Sequence, residues 1–187
     1  LASVRKQNRG TRGSAGANTK GEEFIEYFFV ASTHEYMLFF TDRGRCYWLK
    51  VFEIPETSKT ARGKSLLSLI NIEKEEKVRA FVKVRQFIDE EFILMATKNG
   101  IIKKTMLSDY GNVRKNGINA ITIRDNDELV TAQITDGNCH VLLGTQNGMA
   151  IRFHEQDCRD MGRTASGVRG INLRETDIVI GMIVLRR

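Results

Sequence analysis

A unit of about fifty residues recurs along this chain, and repetition at that period restricts the fold more than any other feature. Three stretches align: Leu38-Phe39-Phe40-Thr41-Asp42-Arg43-Gly44, Leu94-Met95-Ala96-Thr97-Lys98-Asn99-Gly100 and Leu142-Leu143-Gly144-Thr145-Gln146-Asn147-Gly148. Each is an apolar run, a threonine, two polar residues and a glycine. The Asn-Gly pairs suit tight hairpins, whose central residues need positive φ. A second strand follows each turn, at Arg45–Val51, Ile101–Leu107 and Met149–His154. Further on, Gly63, Gly117 and Gly167 each open another stretch of strand character, at Leu66–Ile72, Ile118–Ile123 and Val168–Leu173. New units start at Phe24, Val78, Leu129 and Ile178.

Strand, hairpin, strand, glycine loop, strand is the signature of propeller-like blades. Helix is the competing reading for Leu66–Ala80, where Glu73-Lys74-Glu75-Glu76-Lys77 is a good helical composition. Strand-turn-strand is preferred there because the other units place strands at the same offset. The single proline, Pro55, agrees with a chain of paired strands. The expected architecture is therefore all-β: about three full four-stranded blades with partial ones at each end. Residues 1–20 form the end of a preceding blade; 21–75, 76–126 and 127–175 are blades; 176–187 begin a following one. On this reading the array is cut from a larger ring or spiral.

Charge adds a functional direction. The chain carries 29 Lys+Arg against 23 Asp+Glu, a net charge of +6 with pI near 9.3. Residues 1–20 hold five basic side chains and no acidic one, so the remainder is nearly neutral. Within that remainder the charge is segregated. Arg43 to Lys64 contains six basic and two acidic residues, Lys98 to Gly117 five and one, and Gly148 to Arg169 four and three. The second strand and following loop of each unit are thus basic. Around an axis, equivalent positions fall on one side, and a stripe of Lys and Arg would follow the outer edge. Such a stripe binds phosphates without reading bases, and its affinity falls steeply with salt. The alternative is an ordinary solvated surface; recurrence in three units weighs against it.

Enzymatic chemistry finds little support. Gly63-Lys64-Ser65 echoes the end of a P-loop, but the required upstream glycine position is Ser58. His34, His140 and His154 are scattered, and His154 with Cys158 has no second pair to complete a metal site. Cys46, Cys139 and Cys158 are odd in number and lack a CxxC spacing, so reduced thiols are expected. No apolar run approaches the roughly 20 residues needed to span a bilayer, and the first twenty residues lack a secretory apolar stretch. A cytoplasmic protein without membrane partners is expected. Trp48 is expected to pack against a neighbouring blade.

Gln7-Asn8-Arg9-Gly10-Thr11-Arg12-Gly13 combines glycine, arginine and an amide, which lets backbone approach DNA while Arg grips phosphate. The segment resembles the gyrase A box, Gln-Arg-Arg-Gly-Gly-Lys-Gly, found in the C-terminal domain of DNA gyrase A subunits. Gln7, Arg9, Gly10 and Gly13 match it, Arg12 replaces Lys, and Asn8 and Thr11 depart from it. The resemblance runs through Arg43-Gly44-Arg45, Lys50-Val51, Arg62-Gly63, Lys103-Lys104-Thr105, Ile151-Arg152-Phe153, Met161-Gly162 and Gly167-Val168-Arg169-Gly170.

What the resemblance implies is a β-pinwheel, with strands exchanged between neighbouring blades, that wraps double-stranded DNA around a basic perimeter. The whole enzyme would be an A2B2 assembly of gyrase A and B subunits, nucleoid-associated, introducing negative supercoils with ATP and Mg. This piece would itself carry no catalytic residue, cofactor or metal. Its DNA-binding residues would be Gln7, Arg9, Gly10, Arg12, Gly13, Arg43, Arg45, Lys50, Arg62, Lys64, Lys103, Lys104, Arg114, Lys115, Arg152, Arg163 and Arg169. The topoisomerase IV counterpart, which has similar blades without the box, and a propeller-like protein-interaction module are the alternative readings.

Overall fold

The structure, a computed structural model, describes residues 31–56, 66–112, 114 and 116–186. It is all-β apart from short 3-10 turns. The strands are β1 (Tyr36–Thr41), β2 (Arg45–Lys50), β3 (Val78–Val84), β4 (Phe92–Thr97), β5 (Ile101–Met106), β6 (Ile118–Asn119), β7 (Leu129–Thr135), β8 (His140–Thr145), β9 (Ala150–His154), β10 (Val168–Arg169) and β11 (Val179–Leu185). They form three antiparallel sheets in the orders β3-β1-β2-β6, β10-β5-β4-β7 and β11-β8-β9.

Each hairpin, β1–β2 and β4–β5, is flanked by the first and last strands of the next sequence unit. β3 and β6, which bracket β4–β5 in the chain, both join β1–β2. β7 and β10 do the same for β4–β5. Consecutive units are therefore interlocked through exchanged strands.

The long apolar runs in β1 and β4 follow from the stacking of these sheets. Alternate residues of a strand face opposite sides. Leu38 and Phe40 join Ile93, Met95, Ala120, Ile121 and Ala132 in one buried cluster, while Met37 and Phe39 join Tyr47, Leu49 and Ile70 in another. Leu94 and Ala96, on the other face of β4, pack with Val141, Leu143, Ile171 and Met182. A strand buried on both faces has no polar side to alternate with.

One threonine and one carboxylate organise every hairpin turn. The hydroxyls of Thr41, Thr97 and Thr145 accept the amides of Arg45, Ile101 and Met149 at 3.3, 3.1 and 3.0 Å. The next unit supplies an acid. Asp127 accepts the Asn99 and Glu128 amides at 2.9 and 2.8 Å, and Asp177 accepts those of Asn147 and Ile178 at 3.1 and 2.9 Å. Glu76, in the same place, accepts the hydroxyls of Thr41 and Tyr47 and the Glu73 amide. Burial pushes the Asp177 carboxyl up, but hydrogen bonds from Thr145, Asn147 and Ile178 and the charge of Arg174 outweigh it and hold it below its ordinary value. Just before each acid stands a residue with positive φ: Glu75, Asn126 and Thr176.

Two sequence expectations are corrected. Leu66–Ile72 is not a strand: Leu66–Leu69 is a 3-10 turn. β6 and β10 each pair with the second strand of the hairpin one unit earlier, and the described residues contain no such hairpin before β1. The stretches 118–123 and 168–173 are strand for only two residues each. The chain then bends so that consecutive amides share one carbonyl: Ala120 and Ile121 donate to Gly44 O at 2.8 and 3.2 Å, Gly170 and Ile171 to Gly100 O at 2.8 and 3.3 Å.

Candidate nucleic-acid interface

The exchanged strands place two equivalent glycine loops along one edge of the sheets. The first leaves β5 through a 3-10 turn, Leu107–Tyr110, and returns as β6; the second leaves β9 through Glu155–Asp157 and returns as β10. Gly117 and Gly167 let each loop close in. Both have positive φ, +75° and +86°, and a Cβ would lie 2.7 Å from the Tyr47 ring or 2.4 Å from Ile102 O. The repeated glycine of the sequence is where backbone meets the preceding blade.

Arginines tie these loops down. Arg45 donates to Asn116 O at 2.6 Å, Arg163 to Asn119 O at 3.0 Å, and Arg124 to Gly167 O at 2.9 Å. Arg45 also lies 5.8 Å from the centroid of the Tyr47 ring. The half-buried guanidinium groups of Arg45 and Arg163 shape the edge and keep their charge beside it. Arg124 plays the same part, and sequence reasoning misses it because it follows the edge strand rather than lying in a basic zone.

Arg114, Arg152 and Arg169 are exposed, as is Arg159, a further edge arginine that the sequence pattern does not single out. Arg43 is exposed and pairs with Glu73 at 2.7 Å. Lys50 is half-buried, its ammonium 5.6 Å from the ring centroid of the exposed Phe52. Gln7, Arg9, Gly10, Arg12, Gly13, Arg62, Lys64 and Lys115 lie outside the described residues. Trp48 packs against the cluster between the first two sheets, with its ring edge-on to Tyr36 at 5.1 Å.

Lys103 and Lys104 are the correction in this set, because both are buried. Lys103, 0% exposed, donates through Nζ to Ala120 O and Arg163 O, so one ammonium pins both edge loops from within. Burial, reinforced by Arg163 and opposed by Asp109, lowers its pKa to about 7. Lys104 Nζ rests 4.4 Å from the Phe92 ring centroid and 3.4 Å from Glu155 O. Neither ammonium faces solvent where a phosphate would meet it.

Interlocked antiparallel blades with an arginine-bearing outer edge define a propeller-like domain suited to polyanions. The family model described as the DNA gyrase C-terminal domain, a β-propeller, matches residues 1–32, 35–85, 91–136 and 140–186. The DNA gyrase A subunit of Clostridium acetobutylicum is 46% identical over 164 residues, covering 88% of this chain and 20% of that protein. Its Helicobacter pylori (strain 26695) counterpart is 42% identical over 186 residues, covering 99% and 22%. Among solved structures, the C-terminal domain of DNA topoisomerase IV superposes with a TM-score of 0.77 at 29% identity, over 83% of this chain and 48% of that one. The DNA gyrase A C-terminal domain gives 0.69 at 22% identity, over 91% and 57%, and supports the fold alone. This chain belongs to the DNA gyrase C-terminal domain family. It spans about a fifth of the length of the gyrase A subunits it matches.

Proposed function

We propose that this chain binds and wraps double-stranded DNA along its outer edge, as part of a DNA gyrase A subunit. The carrying observation is the recurrence of exposed arginines along consecutive edge loops: Arg114 in the first, Arg159 in the second, and Arg169 in β10, the edge strand that the second loop leads into. Each projects from backbone held by Lys103, Arg45, Arg163 or Arg124. Contacts of this kind go to phosphates, position the duplex and carry no base specificity.

Wrapping needs many such contacts, because bending a 20–30 bp segment by 40–90° costs on the order of 1–6 kcal/mol. Interlocked blades fix the spacing of successive arginines, so the duplex meets a preformed curve. The box-like segment Gln7–Gly13 would add charge at one end of that path. In the whole enzyme, an A2B2 assembly with gyrase B, the wrapped duplex would be presented for ATP- and Mg-dependent strand passage that introduces negative supercoils. The setting would be the bacterial nucleoid in the cytoplasm.

The test is a duplex labelled at both ends, whose ends approach on wrapping and raise energy transfer. Arg114→Glu with Arg169→Glu should weaken binding and lower that transfer, whereas Asp89→Lys with Glu90→Lys, at positions outside the edge loops, should not. Equal effects of the two pairs would refute a privileged basic edge.

A further inference from the structure

We propose that Asp136, Cys139 and Glu155 form a binding site for a thiophilic divalent cation, with Zn2+ the ion whose chemistry fits best. The site lies where the turn after β7 meets the end of β9. It is absent from the sequence as a motif, because the β8–β9 hairpin brings its third member back beside the other two.

Comparison of the repeats isolates the anomaly. Val51, Leu107 and Glu155 occupy one structural position: each donates its amide at 2.9 Å to a residue just before or at the start of its own hairpin, namely Glu35, Glu91 and Cys139. Two units place an apolar side chain there, and Leu107 is fully buried. The third places a carboxylate that is also 0% exposed. Glu155 Oε1 accepts the Cys139 amide at 3.3 Å, but buried Oε2 has no hydrogen-bond partner among the described residues. Burying a carboxylate in this way is costly unless a cation or proton compensates it.

The surrounding groups supply ligands. Cys139 Sγ, itself buried, donates to Asp136 Oδ1 at 3.1 Å. One ligand atom from each of the three residues lies within 4.8 Å of the others. Around a tetrahedral Zn2+, S and O ligands stand about 3.3–3.8 Å apart, so closure needs a contraction of at most about 1–1.5 Å. The thiolate selects a borderline-soft ion over Mg2+ or Ca2+. Exposed Asp136 gives the entry side, and water would complete the shell. His154 does not complete it, since its Nε2 is engaged with Asn138 Oδ1 at 3.0 Å.

The charges balance well. Two carboxylates and a thiolate bring three negative charges and Zn2+ removes two; the Lys104 ammonium lies in the same neighbourhood, donating to the Glu155 backbone carbonyl at 3.4 Å. Binding forms an S–Zn bond and releases the Cys139 thiol proton to solvent, with no change of oxidation state.

The experiment uses the full chain with thiols kept reduced. Zn2+ affinity is read by competition with a chromophoric chelator, and Co2+ is added as a spectroscopic probe. One equivalent of Co2+ should produce thiolate-to-cobalt charge-transfer absorption, and Zn2+ should raise Tm. Asp136→Asn and Glu155→Leu should each lower Zn2+ affinity by more than roughly 100-fold, beyond the usual cost of losing an outer-shell partner. Glu155→Leu copies the sister unit's Leu107 and so keeps a folded control. An unchanged Tm with Zn2+ and no charge-transfer band in the parent chain would overturn the site. Undiminished affinity in Glu155→Leu would overturn it equally.

Discussion

Replacing Gly44 and Gly148 by alanine, one at a time, separates the cost of a turn from the cost of the interlock. Both glycines close a hairpin with positive φ, +77° and +81°. Alanine in that left-handed region costs about 1–2 kcal/mol at either position. The surroundings then differ. At Gly44 a Cβ would stand 2.5 Å from Ile121 O and 2.8 Å from Ile121 Cγ2, whereas at Gly148 nothing lies within 4 Å. Gly44→Ala must also displace the bend whose Ala120 and Ile121 amides bond to Gly44 O. Overpacking adds about 1–3 kcal/mol, and weakening those hydrogen bonds about 1 kcal/mol more. Gly44→Ala should therefore cost roughly 3–6 kcal/mol against roughly 1–2 for Gly148→Ala. Urea titration gives the two values, and amide exchange over 118–123 locates the loss. Exchange there should quicken in Gly44→Ala and stay unchanged in Gly148→Ala. Equal destabilisation, or unchanged exchange over 118–123 in Gly44→Ala, would refute the interlock.

Three further outcomes follow from single sites. Thr176, a β-branched residue at φ +68°, should be improved by Thr176→Asn, which reproduces Asn126 of the sister turn; thermal unfolding should show a gain of about 0.5–1 kcal/mol. Lys103 is held near pKa 7 by burial but titrates near 10.5 when unfolded, so between those values the unfolded chain binds more protons and stability rises with pH. The slope should reach at most about 1.4 kcal/mol per pH unit, and Lys103→Met should flatten it while costing about 1–3 kcal/mol for each carbonyl it orphans. Asp177→Ala should free the Asn147 and Ile178 amides, lower the denaturant midpoint and quicken hydrogen exchange at those two amides.

The hairpins were legible because their chemistry is local. Thr41, Thr97 and Thr145 each bind an amide four residues on, and a glycine three residues on supplies the turn. The glycines at 117 and 167 stood out for the same reason, since a positive φ leaves a mark on the sequence. The two-residue length of β6 and β10 did not, because it depends on where Gly44 O and Gly100 O sit. Lys103 and Lys104 read as surface charge beside Ile101 and Ile102, yet β5 is covered on both faces and backbone carbonyls from later loops receive the Lys103 ammonium. Arg114 and Arg169 fall on the edge because turn glycines and exposed charge travel together in this repeat. The cluster at Asp136, Cys139 and Glu155 was invisible, since a search by Cys and His spacing passes over a carboxylate that only β8–β9 pairing brings near.

Measuring duplex affinity across a series of salt concentrations distinguishes a phosphate-gripping edge from an ordinary solvated surface. Each neutralised phosphate contributes a slope of about −0.9 to log K against log salt, so exposed Arg114, Arg159 and Arg169 alone require about −2.7. A wrapping edge should give a slope of about −3 or steeper, unchanged when the base sequence of the duplex is altered. A slope near zero, or no binding at low salt, would rule out such an edge.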